Sequence, residues 1–380
     1  MLTEGAASTR FGTAHPDSPT AKIRVHDPSA YSALVLRGSL GLAESYVLGH
    51  WDSDDVPAVG RIAARHPHLM VGSSSGALRF THRSHRNTVR ASRRNIAAHY
   101  DLGNDFFELF LDPTLTYSCA IFERESDSLE QAQIAKYDRV CRKLDLRPGH
   151  DVLEIGTGWG GFALHAARHY GCRVVTTTIS PAQFGRARER VADAGLTELV
   201  TVLNDDYRSL RGRFDRLVTI EMIEAVGAHL LETFLAACGR LLRDDGLMLV
   251  QAILTPDETY ADSVRSLDFL KCYVFPGGQL PSVGALTTAV GRRTDLRLTH
   301  LEELTPHYTA TLRRWREAFA RNRAEIAARG YPERLLRLWE LYLGWCEGYF
   351  IERAIGVGQI VFAKPLSRQG PVAGRVTSAV

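Results

Sequence analysis

The sequence predicts an α/β protein: a doubly wound, mostly parallel sheet preceded by a small α+β N-terminal domain. Three observations predict it. From residue 151 onward, short apolar runs alternate with amphipathic stretches at helical spacing. A glycine-rich turn, "GTGWGG" at 156–161, joins the first of those runs to the first of those helices. Before residue 70 the text differs, with one strand-like run followed by apolar spacing suited to short helices.

The elements follow in order. Residues 1–22, "MLTEGAASTRFGTAHPDSPTAK", lack a basic-then-apolar leader and read as a disordered tail. "KIRVHD" opens a small domain over 23–75, and 76–91 reads as a basic linker. No acidic residue falls between Asp55 and Asp101, whereas Arg61, Arg65, Arg79, Arg83, Arg86, Arg90, Arg93 and Arg94 do. Such a run is either a solvated face or a surface for an anionic partner. Aromatics do not interleave with the arginines, so a membrane surface is favoured over nucleic acid.

The main domain is expected over 92–365. "DVLEIG", "CRVVTTTIS", "LVTVLNDD", "FDRLVTIE" and "LMLVQAIL" read as strands. "WGGFALHAARHY", "PAQFGRARERVADAG" (proline at its first turn) and "HLLETFLAACGRLLRDDG" read as the helices between them. The stretch 256–290, containing "FPGGQLPS", reads as a lid insertion. Long helices are expected at 308–329 and 332–349, then a last strand "GQIVFAKP" and a tail over 366–380.

Composition narrows the function classes. At 380 residues, 45% hydrophobic and 23% charged, the chain is ordinary for a globular protein. No apolar run approaches the ~18 residues of a membrane span, so a cytoplasmic location is expected. The six cysteines form no CxxC pair and no cluster with histidine, so neither a metal site nor a disulfide framework is expected.

The glycine turn points to a cofactor. Gly156, Gly158 and Gly160 permit positive φ and close backbone approach at the end of the first strand. Their spacing differs from the dinucleotide fingerprint G-x-G-x-x-G, and no acid ends the second strand, which disfavours NAD. A cofactor without a pyrophosphate fits better, and S-adenosylmethionine leads. Asp205 and Asp206, after the third strand, are candidates for its adenine amino group.

"HYDLGNDFFELFLDPTLTYSCAIFE", "LEIGTGWGG", "TTTISPAQ", "EMIEAVG", "FPGGQLPS" and "LTPHYTATLRRW" together resemble the cyclopropane-fatty-acid synthase family, mycolic acid cyclopropane synthases included. The resemblance runs from about 23 to 364, and "GSLGLAESYVLGHW" resembles the N-terminal domain of the phospholipid-acting branch. It implies a Rossmann-like, S-adenosylmethionine-dependent methyltransferase acting on the double bond of an unsaturated phospholipid acyl chain. It also implies a dimer peripheral to an anionic membrane. Tyr117, Ser118, Gly156, Gly158, Thr178 and Gln183 become cofactor contacts. A bicarbonate ion would be held by the matches Cys119 (backbone), Glu224, Gln251, Ile253 (backbone) and Tyr308.

The implied chemistry is coherent. An alkene is a weak nucleophile but a methyl sulfonium is a strong electrophile, so no activated serine or cysteine is required. Attack leaves a carbocation on the acyl chain, which aromatic faces stabilise and a dry site protects from water. A base must then take a proton, with Glu224 and Tyr308 expected to orient it. Which proton leaves decides between a cyclopropane and a methylene- or methyl-branched chain. Glu221 is the competing acid, expected to face the cofactor if it acts at all.

The pattern departs from the family at four points. Gln251 stands where many members carry His, and Thr299 roughly where some carry Glu near the bicarbonate; both weaken the bicarbonate and cyclopropane readings. Ala225 and Thr157 read as packing changes. A methyltransferase for a soluble small molecule such as an amine stays open as a second function.

Overall fold

The computed structural model describes residues 1–5, 7–13, 15, 17–70 and 103–368. The chain begins with a four-stranded sheet of β1 (Leu2–Glu4), β2 (Ala7–Thr9), β3 (Ile23–Val25) and β4 (Trp51–Ser53), in the order β2-β1-β3-β4. The expected N-terminal tail is thus partly ordered. β1 runs parallel to β3 with Leu2 opposite Ile23, and the α-ammonium donates to Ala21 O at 2.7 Å. Alternation over three residues is too short a signal to separate a strand from a tail.

Helices α1 (Ser29–Val47) and α2 (Val56–Arg65) complete this unit. α1 kinks at Gly38, whose φ of 58° only glycine adopts freely. Asp55 caps α2 through Ala58 N at 2.9 Å. The unit's core is continuous with that of the two long C-terminal helices, so it does not stand apart as a separate body. The contact is backbone to backbone: a Cβ on Gly348 would fall 2.5 Å from Pro57 O. Arg61 and Arg65, expected on a basic surface, both pair with Glu352, at 2.6 and 2.5 Å. Arg79, Arg83, Arg86, Arg90, Arg93 and Arg94 lie outside the described residues, as do the expected linker and most of the C-terminal tail.

The main body contains α3 (Asn104–Glu108), α4 (Leu129–Lys143), β5 (Asp151–Ile155), α5 (Gly161–Tyr170), β6 (Arg173–Thr177), α6 (Pro181–Asp193), β7 (Val200–Leu203) and β8 (Phe214–Ile220). Then come α7 (Leu231–Leu241), β9 (Leu242–Leu254), α8 (Asp257–Arg265), α9 (Val283–Arg293), β10 (Arg297–Glu303), α10 (Thr305–Ala328), α11 (Glu333–Ile351) and β11 (Gly356–Ala363). The sheet order is β10-β11-β9-β8-β5-β6-β7. β9, β8, β5, β6 and β7 are parallel, and β11 returns antiparallel between β9 and β10.

Alternating side chains serve both faces. Leu153, Met248, Val250 and Phe362 pack with Phe234 of α7 and Leu286 of α9. Val152, Leu247, Leu249 and Val361 pack with Val140 of α4 and Phe162 of α5. Of the stretch 256–290, expected as a lid insertion, the part from Val283 onward is α9, a regular sheet-covering helix capped by Ser282. Strand order reverses between β5 and β8, which places a ligand crevice beyond their carboxyl ends.

Candidate active site

A cavity of about 1100 Å³ opens there. It exceeds the roughly 300–1,000 Å³ of ordinary ligand pockets, leaving room for more than one small molecule. One arm is polar and begins at the glycine turn. Gly156 has φ 105°, and a Cβ on it would lie 2.8 Å from Met222 Cβ; Gly158 and Gly160 also have positive φ. This is a bare backbone cradle, and it fits a cofactor that must approach closely. Thr178 donates to Gln183 Oε1 at 2.8 Å beside it. Both Asp206 oxygens accept from Arg208 at 2.7 Å, so Asp205 is the acid with its carboxylate available to an adenine.

Leu270, Phe275, Leu312, Trp345 and Phe350 give the same cavity an apolar wall, its apolar arm. Arg37 and Ser39 of α1 and Met70 also line the cavity, so the N-terminal unit contributes to the site.

The irregular segment 116–122 lines the cavity at Thr116, Tyr117 and Ser118 and is clamped from both sides. From α4, Gln133 donates to Ser118 O at 2.9 Å and Lys136 Nζ to Ser118 Oγ at 2.7 Å. From α10, Thr311 Oγ1 accepts from Ala120 N at 3.1 Å and His307 Nδ1 from Phe122 N at 3.2 Å. Tyr117 donates to the Tyr342 hydroxyl at 2.7 Å and packs near Trp315 and Phe107. Lys136 is fully buried, and burial draws its ammonium down to about 8.

The clamp leaves Cys119 N directed at Glu221. Glu221 Oε1 accepts from Cys119 N and from Gln251 Nε2, each at 2.8 Å, and Oε2 accepts from the Tyr308 hydroxyl at 2.8 Å. Three of the five groups expected to hold bicarbonate therefore hold the Glu221 carboxylate. A fourth, Ile253 N, donates to the fifth, Glu224 Oε1, at 2.6 Å. The donors a bicarbonate requires are taken by the chain's own acids, and the residues present do not fit that ion. Glu221 sits just past β8 with φ 49°, a left-handed conformation that costs a non-glycine residue about 1–3 kcal/mol and recurs at functional sites.

Burial raises the Glu221 carboxyl, against the pull of its hydrogen bonds. Burial, then the nearby Glu221 charge, pushes Glu224 up to about 8. Glu224 Oε2 is buried without a hydrogen-bond partner among the described residues. The two carboxyls thus share a site in which Glu224 is the one that keeps its proton. Burial and Glu221 also push the Cys119 thiol and the Tyr308 phenol far up, so neither ionises.

Tyr117, Ser118, Gly156, Gly158, Thr178, Gln183, Asp205, Asp206, Glu224, Ile253 and Tyr308 line this cavity, whereas Gly160, the residue before α5, does not. Cys119 and Gln251 are completely buried and touch Glu221 instead. Thr299 is corrected: it lies exposed on β10, donating to Val361 O, away from the cavity. Sequence reasoning missed Glu221 as the hub, as well as Lys136 and Tyr342. An acid ending a strand at the switch point was the available signal for Glu221.

Sheet order, glycine cradle and cavity define a Rossmann-like S-adenosylmethionine-dependent methyltransferase. The family model for mycolic acid cyclopropane synthetase matches residues 87–360. The chain belongs to that family and is a methyltransferase of the type that acts on fatty acyl chains. It is 38% identical to tuberculostearic acid methyltransferase UfaA1 of Mycobacterium tuberculosis, over 96% of this chain and 86% of that relative. It is 36% identical to the cyclopropane-fatty-acyl-phospholipid synthase of Escherichia coli K12, over 94% and 91%. The structure of mycolic acid cyclopropane synthase CmaA1 complexed with SAH and CTAB superposes with a TM-score of 0.67 at 34% identity, covering 72% of this chain and 98% of that one.

Proposed function

We propose that this enzyme methylates the double bond of an unsaturated acyl chain in membrane phospholipid, that Glu221 is the base, and that the product carries a methylene branch. The observation that carries this reading is the Glu221 carboxylate seated on Cys119 N, Gln251 and Tyr308. When bound, S-adenosylmethionine supplies an electrophilic methyl group to the alkene. Tyr117, Ser118 and the glycine turn hold the cofactor end of the cavity, and the apolar arm holds the chain in a dry site. Tyr308 and Phe350, whose ring centroids are 4.4 Å apart, both line the cavity and are the aromatic groups proposed to stabilise the developing positive charge.

The cation's fate depends on when a proton leaves. Early loss from the new methyl closes a cyclopropane. A 1,2-hydride shift first makes a tertiary cation, and loss of a methyl proton then leaves a methylene. Glu221 is anchored to β8 and held by three donors, so it cannot follow the methyl group, and this favours the slower course. The likeness to the tuberculostearic acid methyltransferase, over 96% of the chain, supports the same reading. The likeness to the E. coli synthase, over 94%, supports cyclopropane as the second reading.

Among the described residues no helix is long and apolar enough to cross a membrane. Access to the substrate is instead proposed at the cavity rim. Val35 and Leu36 of α1 are 65% and 50% exposed, next to Arg37 in the cavity wall. Tyr273, 50% exposed, ties the lid to α1 through Glu44 at 2.5 Å. An apolar rim around an apolar arm suits transfer of a lipid tail from a bilayer, with the protein peripheral to it.

The test is mass spectrometry of acyl esters after incubation with S-adenosylmethionine and vesicles of unsaturated phospholipid. A methylated product that gains two mass units on mild hydrogenation supports the methylene reading, and one that resists supports cyclopropane. Turnover of a soluble amine without turnover of vesicles removes the lipid assignment.

A further inference from the structure

Gln251 is joined to a buried polar chain that leads away from the cavity. Gln359 Nε2 donates to Gln251 Oε1 at 2.9 Å, and Lys143 Nζ donates to Gln359 Oε1 at 2.7 Å. Lys143 also pairs with Glu302, which Arg139 holds from α4 at 2.7 Å. Gln251 and Gln359 are directly opposed in the β9–β11 register, and both are completely buried.

The chain has a polarity. An amide offers an acceptor oxygen and a donor nitrogen, whereas an ammonium can only donate. Lys143 therefore requires the oxygen of Gln359, which turns its nitrogen toward Gln251. That nitrogen requires the oxygen of Gln251, which leaves the Gln251 nitrogen for Glu221 and, at 3.2 Å, for Cys119 O. A hydrogen bond donated to a carboxylate favours its ionised form.

We propose that Lys143 and Gln359 are positioning residues: they fix the donor face of Gln251 toward Glu221 and thereby set the pH at which the base is ready. This rests on the reading of Glu221 as base. Neither residue lines the cavity. The charged and titratable groups around the two ends are few. Glu224, Lys136, Cys119 and Tyr308 face Glu221; Glu302, Arg139 and His300 surround Lys143.

The test reverses the polarity. In Gln359→Glu, an ionised carboxylate beside Lys143 can only accept, so Gln251 must turn its nitrogen to it and its oxygen to Glu221. The acid limb of the kcat/KM–pH profile is expected to move up by about one unit or more, the scale on which a hydrogen bond shifts a carboxyl. Adding Lys143→Met removes the ammonium, so the introduced carboxyl can hold a proton and donate again, and the limb is expected to return toward the wild-type position. An unmoved limb in Q359E, or a double variant worse than the single one, overturns the proposal. If Q359E does not fold, Gln359→Leu serves, with a smaller shift of the same sign expected and an unmoved limb again overturning it. The base assignment fails separately, if Glu221→Gln keeps wild-type turnover.

Discussion

The Tyr308 hydroxyl donates to Glu221 Oε2 at 2.8 Å, joining the first turn of α10 to the end of β8 at the junction of the cofactor cradle and the apolar arm. A buried carboxylate is thus built into the chain where the family resemblance implied a bound ion.

Glu221→Gln keeps the shape and removes the proposed base. Turnover is expected to fall by about 10²–10⁴, the usual contribution of general-base catalysis, with binding of S-adenosylhomocysteine retained. Glu221→Gly relieves the left-handed strain and frees Cys119 N, Gln251 and Tyr308. Added bicarbonate or formate is expected to restore part of its activity, and S-adenosylhomocysteine release from vesicle assays reads both effects.

Glu224 and Glu154 sit near 8 in the fold, against 4.5 for a free side chain. Between those values the folded chain keeps protons that the unfolded chain has released. Their contribution to stability is therefore full below about pH 4.5 and is lost as pH rises toward 8. Each contributes a slope of about 1.4 kcal/mol per pH unit in that window. Urea denaturation at pH 5, 6 and 7 is expected to show Glu224→Gln and Glu154→Gln gaining stability relative to the wild type as pH rises, while His150, His165, His300 and His307, which burial holds neutral, shift all three proteins alike in the opposite sense. Equal slopes in all three proteins would mean that both acids are ionised in the native state.

Cys119 meets Glu221 through its backbone N–H, and its thiol donates to Ala120 O at 3.2 Å. Cys119→Ser is expected to keep most activity. A loss as deep as that of Glu221→Gln would assign the sulfur a direct part.

Val35→Asp with Leu36→Asp places charge on the proposed rim. Burying an apolar side chain of this size contributes about 1.5–3 kcal/mol, so co-sedimentation with phospholipid vesicles should drop markedly while cofactor affinity stays constant. Unchanged co-sedimentation would move the membrane contact elsewhere.

Much of the fold was legible because its signals are local. Short apolar runs marked β5, β6, β8 and β9, a proline marked the start of α6, and the glycine turn marked the cradle. The cofactor class followed from spacing. The base did not. Glu221 sits three residues before Glu224 in the same motif, and its place at the end of a strand marks it as a candidate without showing that it meets three donors where Glu224 meets a single backbone N–H. Thr299 was misplaced for the same reason, since a bulge between Leu298 and His300 and an edge position set its direction.

What the sequence by itself determined was the architecture, the cofactor and the family, because periodicity, turn chemistry and motif order are written within a few residues of each other. What only the tertiary structure decided was which acid occupies the centre of the site. Its donors arrive from 102, 30 and 87 residues away, and no local pattern records where such distant groups converge.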